Sequence, residues 1–279
     1  MTTGDMSHRM SAPLAESTLS ADGTRIGWER IGRGPALVVV HGGARAGKHY
    51  RALAEAMAQR YSVILMDRRG RGLSGPGREE DGLEVELADV SAVLAATGAE
   101  RVFGHSAGAV IALEAALALP IRELALFEPP VVGVPLGWVP DFKAAVARED
   151  FALAMALLAL GLQMGPRWLP HWPRIVALPV RLLMRTREGK EMAALLATMP
   201  RDIFTLRSAG LAIDRHARVA SRTLLLQGSR SPTYLHESVD SLTRLIPGAE
   251  RASLDGVGHN APDQEAPERV ASRLLNFFS

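Results

Sequence analysis

The order of the apolar runs constrains this chain more than any other feature. Residues 36–41, 61–66, 100–104, 122–127 and 223–228 are short stretches rich in aliphatic side chains. Continuous runs of this kind suit strands buried on both faces, as in a parallel sheet. Helical stretches at 47–59, 84–96 and 107–118 separate them, and a helix over 234–246, a strand over 250–254 and a closing helix over 266–278 follow. Such alternation predicts a parallel sheet with crossover helices on its faces. Two earlier strands, 15–19 and 25–30, flank Asp22-Gly23, a turn pair placed as in a hairpin. Between Pro129 and Ser221 the alternation stops. Four prolines (Pro129, Pro130, Pro135, Pro140) lead there into helical stretches at 141–163, 174–198 and 202–213. The expected organisation is an α/β core built from 1–128 and 222–279, with 129–221 inserted as a helical lid.

Composition narrows the chemistry. Lys+Arg 32 against Asp+Glu 30 is a near balance, which argues against a basic nucleic-acid face. The absence of cysteine excludes disulfides, thiolate catalysis and cysteine-ligated zinc or iron–sulfur centres. Metal-ligand spacings, phosphate-cradling loops and nucleotide fingerprints are missing, so no cofactor or metal is expected. The first thirty residues never develop the apolar core of a signal peptide, and a cytoplasmic location is expected. The longest apolar run, Phe151 to Leu162, is well short of the roughly 18–20 residues that span a bilayer. A small-molecule substrate is the expected partner, without nucleic acid or membrane, for a monomer or homodimer.

The 100–104 strand runs into Gly104-His-Ser-Ala-Gly108 and then into an alanine-rich helix. A G-x-S-x-G sequence at a strand-to-helix turn lifts a serine hydroxyl clear of the sheet, because only small residues fit two positions either side. A lone serine is a poor nucleophile and needs a base, an orienting acid and donors for a developing oxyanion. His259, on the loop after the last strand, stands where the base belongs. His41-Gly42-Gly43 ends the third strand, and the amides of Gly43 and Ala107 are the expected oxyanion donors. Gly42, His105 and Trp138 are candidate substrate-binding residues, and His49 lies where it could face substrate. His41 is expected to hydrogen-bond its own loop, while His8, His171, His216 and His236 are expected in bland surface roles.

With His41-Gly42-Gly43, Asp67-Arg-Arg-Gly-Arg-Gly-Leu-Ser74, Gly104-His-Ser-Ala-Gly108 and Gly258-His259 in this order, the chain resembles the α/β-hydrolase fold family over about 25–128 and 222–279. The resemblance implies a mostly parallel central sheet with flanking helices and an inserted lid, Ser106 as nucleophile and His259 as base. It also implies that Asp67–Ser74 is a scaffold for the oxyanion loop. Family members that are haloalkane dehalogenases or epoxide hydrolases carry a carboxylate in place of Ser106, so acyl chemistry remains.

The sequence departs from the family at the acid. Ser231 stands where an aspartate is common, and a hydroxyl cannot balance an imidazolium. Glu128 ends the 122–127 strand at the same sheet edge. In zearalenone-type lactonases and certain haloalkane dehalogenases the acid sits at that earlier strand, so the resemblance implies the order Ser106, Glu128, His259. Asp240, Glu237 and Asp255 are the fallbacks. In the lid, Met155, Met164, Met184, Met192 and Met199 with Trp138, Trp168 and Trp172 would form either an adaptable apolar wall or simple core. The arginines of 181–187 would meet a carboxylate or face water. The expected activity is hydrolysis of a carboxylic ester or lactone of a mostly apolar small molecule. The competing readings are a lyase or cyclase using the same Ser/His pair, and a binding protein with a decayed triad.

Overall fold

In the computed structural model, which describes residues 13–164, 172–208 and 212–278, the strand-forming runs assemble into one eight-stranded sheet. β1 (Leu14–Leu19) and β2 (Arg25–Ile31) form the expected antiparallel hairpin, turning at Gly23 with φ +81°. β2 runs antiparallel to β4 (Ser62–Met66); from there β4, β3 (Ala36–Val40), β5 (Arg101–His105), β6 (Glu123–Phe127), β7 (Arg222–Gly228) and β8 (Glu250–Leu254) are parallel neighbours in that spatial order. The apolar runs are continuous because both faces are covered. Leu37 and Val39 face one core with Leu53 and Met57 of α1 (Arg51–Met57) and Val270 and Leu274 of α10 (Pro267–Phe277). Val38 and Val40 face the other, with α2 (Leu83–Thr97), α3 (Ala107–Ala115) and α9 (Thr233–Leu245). Alternation of side chains across the pleat requires this division.

Helices α4 (Val139–Ala147), α5 (Phe151–Gly161), α6 (Pro173–Leu183), α7 (Arg187–Ala197) and α8 (Met199–Ser208) lie between β6 and β7. The long helices expected at 141–163 and 174–198 are each two. Glu149 turns at φ +57° and Asp150 caps α5 by accepting from Leu153 N; Thr186 caps α7 by accepting from Gly189 N at 3.0 Å. Local capping outcompetes continuation of an apolar helix pattern there. The helix expected at 202–213 begins at Met199 and ends at Ser208, and 209–211 lie outside the described residues. The 47–59 helix opens instead as a 3₁₀ turn, Gly47–Tyr50, because Asp67 Oδ1 holds Gly47 N at 2.7 Å.

A buried ionic lattice fastens α8 to the core. Arg68, fully buried, places Nη2 2.6 Å from Glu86 Oε1 and 2.8 Å from Asp202 Oδ1; Arg71 reaches Asp202 Oδ2 at 2.5 Å and Arg201 reaches Glu86 at 2.7 Å. Burial pushes Glu86 up, but Arg68 and Arg201 outweigh it and hold the carboxyl at about 2. Because the folded value lies below the unfolded one, this stabilisation is present above about pH 4.5 and is lost as pH falls toward 2. Glu86→Gln leaves three guanidiniums facing one carboxylate and is expected to cost about 3–5 kcal/mol at pH 7. Urea unfolding checks this, and the gap between variant and wild type should narrow steadily below pH 4.5.

Candidate active site

The turn from β5 into α3 has the geometry its glycines demand. A Cβ on Gly108 would lie 2.2 Å from Val40 O, and one on Gly104 2.6 Å from Ala109 Cα. Ser106 between them sits at φ +53°, ψ −120°, and its N–H donates to Phe127 O at 2.9 Å, tying the turn to the end of β6. Three of the five described non-glycine residues with positive φ, namely Ala44, Ser106 and Glu128, follow the carboxyl ends of β3, β5 and β6. Backbone held in such sparsely populated conformations concentrates at functional sites.

Glu128, at φ +49°, is completely buried. A carboxylate in that position is costly unless its oxygens are satisfied. Oε1 accepts from Gly228 N at 2.7 Å, and Oε2 lies 2.6 Å from His259 Nδ1. The side chain of His259 is 10% exposed, so one edge of the ring remains open. Of the fallback acids, Asp240 pairs with Arg251 at 2.6 Å, Asp255 accepts from Ser229 Oγ at 3.1 Å, and Glu237 is exposed. Ser231 is buried, with a hydroxyl that has no hydrogen-bond partner among the described residues. Tyr234, unremarked in the sequence, also lies near Glu128. Burial first, and the charge of Glu128 second, push its phenol up and keep it protonated.

His105 corrects an expectation. It is 2% exposed and does not stand free to bind substrate. Gly42 N–H donates to Tyr50 Oη at 3.2 Å, Tyr50 Oη meets His105 Nδ1 at 2.6 Å, and His105 Nε2 meets His259 O at 2.9 Å. This chain closes when Tyr50 donates to Nδ1 and the ring carries its proton on Nε2. Burial, then the neighbouring His259 and Arg45, hold His105 well below the usual histidine range, consistent with that neutral form. The relay links the loop after β3, the serine turn and the histidine loop. Its rings also pack, with the His105 and His259 centroids 4.8 Å apart. Sequence carries no signal for it, since Tyr50 and His105 are 55 residues apart and meet only in the fold.

Gly42 approaches Ser106 closely, since a Cβ there would lie 3.3 Å from Ser106 Cβ, and its N–H is already held by Tyr50 Oη. A Cβ on Gly43 would lie 3.0 Å from Met199 Sδ and 3.3 Å from Asp202 Oδ2, so α8 packs against the loop after β3. Ala107 opens α3, where the first amides have no acceptor within the helix. His41 is buried, with Nδ1 2.8 Å from Gly42 O and Nε2 accepting from Arg68 N at 3.1 Å, so it serves its own loop. Asp67 accepts from Gly47 N and Leu73 N (2.7 and 2.8 Å), and Arg45 pairs with Asp263 at 2.5 Å, so both neighbouring loops brace 41–46. His49 turns Nδ1 back onto Ala46 N at 2.9 Å instead of toward the site.

Trp138 is half-buried over Phe142 and donates to Pro135 O at 2.6 Å, in the apolar cluster that also holds Ala44, Met199 and parts of Met155, Met184 and Met192. Trp172 departs from the expected wall, being 66% exposed. His216, expected at the surface, is buried against Glu114 at 2.9 Å, and half-buried His236 meets Gly228 O at 2.9 Å. His8, Trp168 and His171 lie outside the described residues. Among the described residues no cluster of His, Cys, Asp and Glu could hold a metal ion.

Comparison with known proteins places the chain. It is 36% identical over 130 residues to the N-formylmaleamate deformylase of Pseudomonas putida, a match covering 44% of this chain and 48% of that protein; the chain thus aligns with about half of that relative's length. It is 29% identical over 262 residues to the pimeloyl-[acyl-carrier protein] methyl ester esterase of Xanthomonas campestris pv. campestris, covering 89% and 97%. The crystal structure of an alpha/beta hydrolase from Sphaerobacter thermophilus superposes with a TM-score of 0.79 at 31% identity, over 95% of this chain and all of that one. The sequence pattern of the alpha/beta hydrolase family matches residues 37–273, from β3 through most of α10. A sheet whose strand ends gather Ser106, Glu128 and His259 and a sequence match across both core segments agree: the chain belongs to the alpha/beta hydrolase family.

Proposed function

We propose that the protein is a serine hydrolase that cleaves a carboxylic ester or lactone of a mostly apolar small molecule through an acyl-enzyme. The observation that carries this reading is the 2.6 Å contact between Glu128 Oε2 and His259 Nδ1, with Gly228 N fixing the other carboxylate oxygen. It supplies the acid that the sequence lacks at Ser231. In the proposed reaction Ser106 Oγ attacks the carbonyl carbon while His259 Nε2 takes its proton. Glu128 holds the ring in the Nδ1–H tautomer and balances the imidazolium. The amides of Gly43 and Ala107 meet the charge that develops on the carbonyl oxygen. The tetrahedral intermediate collapses, His259 returns the proton to the departing alkoxide, and water then resolves the acyl-enzyme by the same steps in reverse order.

The preference for an ester over an amide rests on the Xanthomonas relative, which is named as a methyl ester esterase and aligns over 97% of its length. The apolar preference rests on Met199, set against Gly43, and on the apolar cluster behind it; in this reading the inserted helices act as a lid. The test pairs a fluorophosphonate label with rates on p-nitrophenyl butyrate, a butyryl lactone and butyryl anilide. The expected result is one label per chain on the peptide bearing Ser106, with ester or lactone turnover far above anilide turnover. A folded protein that neither labels nor turns over an ester overturns the reading.

A further inference from the structure

Helix α6 is mostly apolar, yet among the described residues only one side of it is covered. Ala177 is buried, and Val176, Val180 and Met184 are half-buried, against Ala152, Leu153 and Ala156 of α5. The other side presents Ile175, Leu178 and Leu182 at spacing i, i+3, i+7, one stripe of an α-helix, with Trp172 at the N-cap. These side chains are 47%, 59%, 70% and 66% exposed. With Leu183 they make five of the nine large apolar side chains that stand exposed among the described residues. A contiguous apolar patch on an otherwise polar surface marks a place where something else binds.

Charge identifies the occupant. Arg148, Arg174 and Arg181 rim an open groove of about 720 Å³ whose floor includes Leu153, Ile175 and Leu178, with Asp150 as its single acid, 3.7 Å from Arg181. Along the sequence, residues 151–187 hold five arginines and neither aspartate nor glutamate. Aliphatic stripe, tryptophan and guanidinium rim together form the pattern of a helix that lies in a membrane interface. A second copy of the chain would bring the same basic rim against itself, whereas an anionic surface complements it.

We infer that α6 docks flat on an anionic lipid surface, with Trp172, Ile175, Leu178 and Leu182 entering the acyl boundary while Arg148, Arg174 and Arg181 hold headgroup phosphates. The helix is 11 residues long, too short to cross a bilayer, so α6 would lie in the surface; among the described residues no helix is long and apolar enough to cross a membrane. This departs from the expectation of no membrane partner, which rested on the lack of a spanning segment; an interfacial helix needs none. The inference stands apart from the proposed hydrolysis, and its readout is binding.

The test is sedimentation of the full chain with vesicles of phosphatidylcholine alone and of equal parts phosphatidylcholine and phosphatidylglycerol. Each guanidinium near an anionic surface contributes about fivefold to partitioning, so binding to the mixed vesicles is expected to be at least about tenfold tighter and to fall at high salt. Leu178→Asp with Leu182→Asp alters only exposed positions and is expected to lower partitioning by about tenfold or more. Arg174→Gln with Arg181→Gln is expected to make the two vesicle types nearly equivalent. Equal partitioning of the wild type onto both vesicles overturns the proposal, as does unchanged binding by the aspartate variant. A dimer in sedimentation velocity that the aspartate variant dissociates, without vesicle binding, assigns the face to a second copy and overturns it as well.

Discussion

Ser106→Ala is expected to lower kcat for p-nitrophenyl butyrate by about 10⁵ to 10⁶, with KM changed little. The turn that holds Ser106 is built by its neighbours: Gly104 and Gly108 allow the backbone approach, and the Ser106 N–H bond to Phe127 O does not involve the side chain. Alanine therefore keeps the fold, the backbone amides of Gly43 and Ala107 and the pocket while removing the atom that forms the acyl-enzyme in the proposed reaction. What remains is polarisation of the carbonyl by the amides, worth about 10³ to 10⁴ over water for hydrolases of this kind. Steady-state kinetics on wild type and variant check the loss, with near-ultraviolet circular dichroism showing an unchanged fold. A variant within a hundredfold of wild type would mean that Ser106 is not the nucleophile.

Glu128→Gln is expected to cost about 10⁴ in kcat, again with little change in KM. The amide is nearly isosteric, and its oxygen can still accept from Gly228 N. Its NH₂ then faces His259 Nδ1 and selects the tautomer with the proton on Nε2, the wrong nitrogen for a base that must accept there. No negative charge is left to balance the imidazolium. Because a buried ion is replaced by a neutral group, unfolding midpoints should move far less than activity does. A control separates the acid's role from its address: Ser231→Asp in the Glu128→Gln background puts a carboxylate at the buried position where the family resemblance leads one to expect it, and should recover at least about tenfold of the lost rate. A Glu128→Gln protein within tenfold of wild type would assign the orienting role elsewhere, with buried Tyr234 the next group to test.

How much of this was legible in the sequence depended on whether a residue's environment was local. The five central parallel strands, β3 to β7, read directly as apolar runs, because a strand covered on both faces needs no polar alternation. Gly104 and Gly108 announced the serine turn because the steric demand on them comes from residues brought close by the turn itself and the adjacent strand. Glu128 could be singled out only through the family resemblance, which expects an aspartate near Ser231, together with a carboxylate ending a buried strand. Helix ends inside the insertion were less legible, since Asp150 and Thr186 interrupt apolar patterns that otherwise run on.

The roles of His105 and His216 and the ionic lattice beneath α8 were invisible. Each depends on partners far along the chain: Tyr50 and the carbonyl of His259 for His105, Glu114 for His216, and Asp202 for Arg68 and Arg71. The sequence by itself determined the layered α/β architecture, the position of the helical insertion and the serine-bearing turn between strand and helix, because periodicity and steric demand at tight turns are properties of neighbouring residues. Only the tertiary structure decided that Glu128 meets His259, that His105 braces three loops from inside the protein and that one flank of α6 is left bare. Those facts follow from which surfaces the folded chain brings together and which it leaves uncovered, and pairing across more than a hundred residues leaves no local trace in the chain.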